Sequence, residues 1–222
     1  MRLPLGPTEI VLLPDRAVFL PQSRVLVVAD LHLGKSATFR TRGLPVPEGT
    51  TKDDLARLSA LLRQTRAETL VVAGDLIHAR DGLTESLVDN FRIWLESHPV
   101  HVILTEGNHD RGSGSITTKF PIETCDRFKL GGLVIAHDPD DLSADEPGIA
   151  GHLHPGIRIR ESRLSSLRLP AFHLRPSHHL ILPAFSRFTG LKMIDPSPSD
   201  RFFVSLDEAV VEIPLSLTRS AL

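Results

Sequence analysis

Four apolar runs in this chain each end abruptly in a cluster of polar, metal-capable residues. Val25 to Ala29 runs into Asp30-Leu31-His32, and Leu70 to Ala73 into Gly74-Asp75. Val100 to Leu104 precedes Gly107-Asn108-His109-Asp110, and Leu133 to Ala136 precedes His137. A fifth cluster, Gly151-His152-Leu153-His154, comes later in the chain. Short apolar runs bounded by turn residues read as buried β-strands. Active sites of α/β sheets lie beyond the carboxyl ends of their strands. Clusters at successive strand ends can converge on one point, and the five together supply seven candidate metal ligands and a spare histidine. Carboxylate, imidazole and amide oxygen together suit Mn, Fe or Zn better than Ca or Cu(I). The reading is a metal-dependent hydrolase.

No cluster is decisive alone. Asp30 and His32 are two apart, which in an extended segment puts both side chains on one face. Asp-x-His also caps many turns, and Gly-Asp begins many. The weight lies in five clusters in one order, four of them at strand ends.

The rest of the chain sets the frame. Its 222 residues are enough to bury a core as one domain, 1–222. A net charge of −2 offers no global basic field for nucleic acid. The single cysteine, Cys125, cannot form an intrachain disulfide and fits a reducing compartment. The start of the chain lacks a signal-peptide core, and no run is long enough to span a membrane. A cytoplasmic protein is expected.

Pro14-Asp15 separates two β-like runs, Glu9 to Leu13 and Ala17 to Leu20, and predicts a hairpin. Leu55, Leu58, Leu61 and Leu62 recur at helical spacing in Lys52 to Arg66. Leu87, Phe91, Trp94 and Leu95 do the same in Glu85 to Glu96, so Trp94 is expected in the core. Ser36 to Arg42 reads as a short helix. After Val100 short β-like runs dominate. Early βαβ units followed by mostly β structure predict an α/β fold, a two-sheet β-sandwich flanked by helices.

The five clusters together resemble the pattern of the calcineurin-like metallophosphoesterase superfamily: Asp-x-His, Gly-Asp, Gly-Asn-His-Asp/Glu, His, Gly-His-x-His. The resemblance covers roughly Val25 to His154 and implies that superfamily's four-layer fold. It implies that Asp30, His32 and His154 hold one metal. Asn108, His137 and His152 hold the other, and Asp75 bridges the two. His109 is then a general acid or cationic stabiliser facing the leaving oxygen. Asp110 is expected to hydrogen-bond the His109 ring and raise its pKa.

Longer stretches are similar to the bacterial ligase-associated DNA-damage-response endonucleases: Asp30 to Gly49, Gly74-Asp-Leu-Ile-His78, Gly151 to Pro155, and Leu182 to Gly190. This implies two Mn ions, with Fe or Zn as alternatives, and hydrolysis of DNA phosphodiesters, single-stranded above all. It also implies functional association with a DNA ligase, an exonuclease and a helicase, and no membrane. The same centre serves phosphomonoesterases and small-nucleotide phosphodiesterases. Non-catalytic scaffolds of this fold usually lack several of these residues.

Charge is unevenly spread. Lys35, Arg40 and Arg42 form a run without acids just after the first cluster and are the expected phosphate contacts. Arg158, Arg160, Arg163, Arg168, Arg175 and Arg187 face only Glu161 between Pro155 and Gly190. Phe39, Phe185 and Phe188 offer a base stack or, more simply, core packing. His78 is left between a supporting role in the site and a place on a loop surface. The acidic stretch Asp138 to Glu146 reads as a solvated loop.

Overall fold

The computed structural model describes every residue except 48, 114–118, 161–165, 207 and 219–222. Glu48, Glu161 and Arg163 therefore lie outside the described residues.

Two mixed sheets stack face to face. The first runs in chain order: β1 (Arg2–Leu5), β2 (Thr8–Leu13), β3 (Ala17–Leu20), β4 (Val25–Val28), β5 (Thr69–Val72), β6 (His101–Thr105) and β7 (Glu123–Cys125). Its first four strands form an antiparallel meander, and β2 and β3 are the expected hairpin. From β4 onward the strands are parallel. Helices fill the crossovers: α1 (Lys35–Thr41) and α2 (Thr50–Thr65) before β5, α3 (Glu85–Ser97) before β6, and the short α4 (Asn108–Gly112) before β7.

The second sheet holds β8 (Arg127–Leu130), β9 (Leu133–Ala136), β10 (Gly148–Ala150), β11 (Pro155–Arg160), β12 (Ser166–Leu174), β13 (His179–Ile181) and β14 (Lys192–Met193). They lie in the order β14-β11-β12-β13-β10-β9-β8. Two more strands, β15 (Arg201–Leu206) and β16 (Ala209–Ile213), extend it from β12.

Strand alternation explains the layering. On β4, Leu26 and Val28 face the helices, where Leu58, Leu61, Phe91 and Trp94 cover them. Val25 and Val27 point the other way, into a core shared with Ile135, Ile149, Phe172 and Phe203 of the second sheet. Strands buried on both faces need apolar residues at every position, hence the unbroken runs in the sequence. Trp94 is core as expected, and its indole N–H donates to Ser59 Oγ at 2.8 Å. Among the described residues no helix is long and apolar enough to cross a membrane.

The sequence pattern does not predict strand β10. Gly148-Ile149-Ala150 is only three residues long, yet it lies parallel between β9 and β13. The fifth cluster therefore also stands at a strand end.

Candidate metal centre

The clusters meet because their strands meet. Strands β4, β5 and β6 deliver Asp30, Asp75 and the Asn108–Asp110 turn from the first sheet. Strands β9 and β10 deliver His137 and His152 from the second. Phe185, beyond β13, ties the sheets by donating its N–H to the Ala29 carbonyl at 2.7 Å.

Among the described residues three ligand groups result: one all-imidazole group of His32, His78 and His109, and two that combine a carboxylate with imidazoles. Asp30, His32 and His154 place one donor atom each within 4.8 Å of one another, and so do Asp75, His137 and His152. Imidazole nitrogens face each other directly: His32 Nε2 and His154 Nε2 are 3.3 Å apart, His152 Nδ1 and His137 Nε2 3.0 Å. Asp75 lies between the groups. Its Oδ1 is 3.6 Å from His137 Nε2, and its Oδ2 is 3.8 Å from His32 Nε2.

The donor set fits divalent cations. Asp30, Asp75, His32 and His137 are all buried. Burial pushes the Asp75 carboxyl up, with His137 opposing. Burial also drives His32 down to about 2, helped by Lys35 and His154. A neutral imidazole is the ligand form, and a cation would offset the cost of the buried carboxylates. The ring orientations agree. His137 Nδ1 is 3.2 Å from the Ala73 carbonyl, which leaves Nε2 free to coordinate. His152 Nε2 is 3.6 Å from Asp138, so that residue of the acidic stretch faces the site rather than bulk water.

The backbone at these ligands differs from the extended geometry expected of Asp30-x-His32. Asp30 (φ 57°), His32 (φ 47°), Asp75 (φ 50°), His152 (φ 67°) and His154 (φ 48°) are all left-handed. Few non-glycine residues adopt this conformation, and those that do cluster at functional sites. The neighbouring loops hold it: Asp30 N–H donates to the Gly74 carbonyl at 3.1 Å and His32 N–H to the Asp75 carbonyl at 2.8 Å.

Two glycines act as spacers. A Cβ on Gly74 (φ +75°) would lie 2.0 Å from His137 Nδ1. A Cβ on Gly107 would lie 2.2 Å from Asp75 Oδ1. Gly74→Ala is therefore expected to displace the His137 ring and leave a left-handed alanine costing about 1–2 kcal/mol. Metal content by mass spectrometry should fall while circular dichroism stays native. Full metal content in this variant would mean that His137 is not held where we place it.

Asn108 is the exposed first residue of α4, directly after the glycine packed on Asp75. His109 follows, with a partly exposed ring. Its main-chain N–H donates to Asp75 Oδ1 at 3.1 Å, and its Nε2 is 4.0 Å from Asp75 Oδ2.

Asp110 departs from expectation. Its carboxylate does not meet the His109 ring. Oδ1 accepts the Ile77 N–H at 2.9 Å and Oδ2 the Gly107 N–H at 3.0 Å, so the buried side chain clamps two site loops together. Burial raises its pKa to about 6 against these hydrogen bonds. The partner of His109 is the His78 carbonyl, which takes its Nδ1.

His78, undecided from sequence, belongs to the site. Its ring stacks on His109 with centroids 4.9 Å apart, and its Nδ1 is 3.4 Å from His32 Nδ1. The one available signal was its position three residues after Asp75.

The expected phosphate contacts separate. Lys35, at the start of α1, is half-buried and close enough to Asp30 and Asp75 for both to raise its pKa against the larger effect of burial. Arg40 reaches the Pro47 carbonyl at 3.4 Å. Arg42 is not without an acid: Asp81 takes its Nε and Nη2, each at 3.1 Å. In the later basic stretch Arg187 approaches Asp15 at 3.6 Å. Phe185 is core beneath Arg57, whereas Phe39 and Phe188 pack edge-on at 5.6 Å beside His78.

A family model described as calcineurin-like phosphoesterase matches residues 23–168. Among solved structures the chain is similar to Pseudomonas putida nuclease MPE, with 32% sequence identity and a TM-score of 0.81, covering 96% of this chain and 99% of that one. Yfce, a phosphoesterase from E. coli, matches at 14% identity and a TM-score of 0.45, over 88% of this chain and 99% of that one. No curated protein matches the chain.

Proposed function

We propose that this chain, which belongs to the calcineurin-like phosphoesterase family and is a metal-dependent phosphoesterase, hydrolyses the phosphodiester backbone of DNA, with single strands preferred. The carrying observation is its likeness, at 32% identity over 96% of its length, to a protein described as a nuclease. The signature stretches shared with ligase-associated endonucleases support the same reading. They also support a role in DNA repair beside a ligase, an exonuclease and a helicase.

The residues divide the work. Asp30, His32 and His154 hold one divalent ion, and Asn108, His137 and His152 the other. Asp75 serves both, because its two oxygens face different histidine groups. Manganese is the proposed metal. Bound there, the ions supply Lewis-acid charge and a nucleophile at neutral pH. His109 donates a proton to the leaving oxygen from Nε2, since its Nδ1 is engaged by the His78 carbonyl. Asp110 and His78 position it, the first through the Ile77 and Gly107 amides and the second by stacking. Lys35 contacts a phosphate beside the ions. Phe39 and Phe188 offer aromatic surface for a base at the rim.

The test is a nuclease assay with each metal supplied singly, on single-stranded, duplex and stem-loop DNA. A nitrophenyl phosphodiester and a nitrophenyl phosphomonoester run alongside. Manganese-dependent cleavage of single strands and of the diester is expected. Hydrolysis of the monoester alone would replace this reading with a phosphomonoesterase.

A second prediction separates the cations. Lys35→Ala should flatten the dependence of log K on log salt by roughly 0.7 for single-stranded DNA. Arg42→Ala should leave that slope unchanged, because Asp81 already holds its guanidinium. A salt titration of binding reads both, and equal slopes in the two variants would remove Lys35 from the DNA path.

A further inference from the structure

Strands β11 and β12 form an antiparallel ribbon that springs from the metal centre. β11 begins at Pro155, the residue after His154. β12 is antiparallel to β13, so its N-terminal half runs past the end of β13 from which Leu182 to Phe185 lead back to Asp30. The ribbon thus projects from the same end of the sandwich as the metal ligands.

Its two faces differ. Ile157, Ile159, Leu169 and Ala171 make one face, packed against β15 and β16. The other face carries Arg158 and Arg168, which are directly opposite partners in the register and both exposed. Phe172, four residues on from Arg168, occupies this same face and packs into the core between the sheets. The arginine rung therefore lies on the side of the second sheet where the first sheet, Asp30 and Asp75 lie.

Two like charges directly opposite each other destabilise a strand pair. Arg42 and Arg201, by contrast, each meet an acid, Asp81 and Glu212. Among the described residues no carboxylate lies within ion-pair distance of Arg158 or Arg168. An anion with closely spaced charges would relieve the repulsion between them and satisfy both forks.

We propose that the Arg158–Arg168 rung is a second phosphate-binding site, which grips the backbone of a single DNA strand several nucleotides from the bond cleaved at the metals. The proposal rests on the nuclease reading of the metal centre. Four residues of strand at about 3.3 Å each put the rung about 13 Å along the ribbon from His154. Stacked nucleotides at about 3.4 Å each cover that span in roughly four steps. The contact is to phosphates, so it reads length and not sequence.

The experiment compares the wild-type chain, the double variant Arg158→Ala/Arg168→Ala and the double variant Arg158→Lys/Arg168→Lys, all loaded with manganese. Both residues are exposed, so native circular dichroism is expected in each. The alanine pair should bind a twenty-nucleotide thymidine strand roughly tenfold more weakly at low salt, with its salt slope flattened by about 1.4, or 0.7 for each contact. Turnover of the thymidine dinucleotide and of a nitrophenyl phosphodiester should stay at the wild-type rate, because neither reaches the rung. The lysine pair should keep most of the wild-type slope. If wild-type protein cleaves the long strand and the alanine pair matches it in affinity and slope, the rung is not a phosphate site, while the nuclease reading stands. Equal losses on the dinucleotide and the long strand would also overturn it, by showing damage at the metals. If wild-type protein neither binds nor cleaves DNA, the nuclease reading fails and this proposal falls with it.

Discussion

Asp75→Ala is expected to lower turnover of both DNA and an aryl phosphodiester by at least about 100-fold. Loss of an outer partner of a metal ligand typically costs about 10–100-fold, and Asp75 is placed to do more. Its two oxygens face two separate histidine groups, at 3.6 and 3.8 Å, so one substitution removes a donor from each. It also leaves the His109 main-chain N–H without its acceptor. Metal content should fall together with activity, measured by mass spectrometry on the folded variant. The fold should survive, because burial already disfavours the charged form of this carboxyl. Wild-type turnover at saturating manganese would end the two-metal assignment.

His109→Ala is expected to separate substrates by their leaving groups. Proton donation contributes about 10²–10⁴-fold where the leaving oxygen is a poor one. DNA cleavage should fall by that order. Nitrophenyl ester hydrolysis should fall far less, since that leaving group departs without a proton. Metal content should stay near that of the wild type, because Asp75 faces His32 and His137 independently of this ring. Equal losses on the two substrates would assign His109 to substrate binding or to assembly of the centre. His78 gives a complementary reading. It takes Nδ1 of His109 through its main-chain carbonyl, which any residue at that position retains. A His78→Ala variant should therefore keep part of the proton-donor effect while losing the stacking contact.

Most of the fold and the set of candidate ligands were legible in the sequence, for a local reason. A strand buried on both faces must be apolar throughout, and it ends where polar residues begin. Val25 to Ala29 and Leu70 to Ala73 therefore announced both the strand and the place of Asp30 and Asp75. Helical spacing announced α2 and α3, and with them the cover over the first sheet. Strand β10 escaped because Gly148-Ile149-Ala150 carries only one large apolar residue and so shows no apolar run.

What stayed hidden depends on residues far apart in the chain. Arg42 looked free because the acid it meets, Asp81, is 39 residues away. Asp110 sits next to His109 in sequence, yet its carboxylate serves the Ile77 amide, 33 residues distant. His78 reaches His32 across 46 residues. The left-handed backbone at five expected ligands has no signature in residues that usually avoid it. The sequence by itself determined which residues stand at the strand ends, because burial and strand period act on neighbours. Only the tertiary structure decided which way their side chains point and which acid each cation meets, because those follow from how the two sheets and their loops pack.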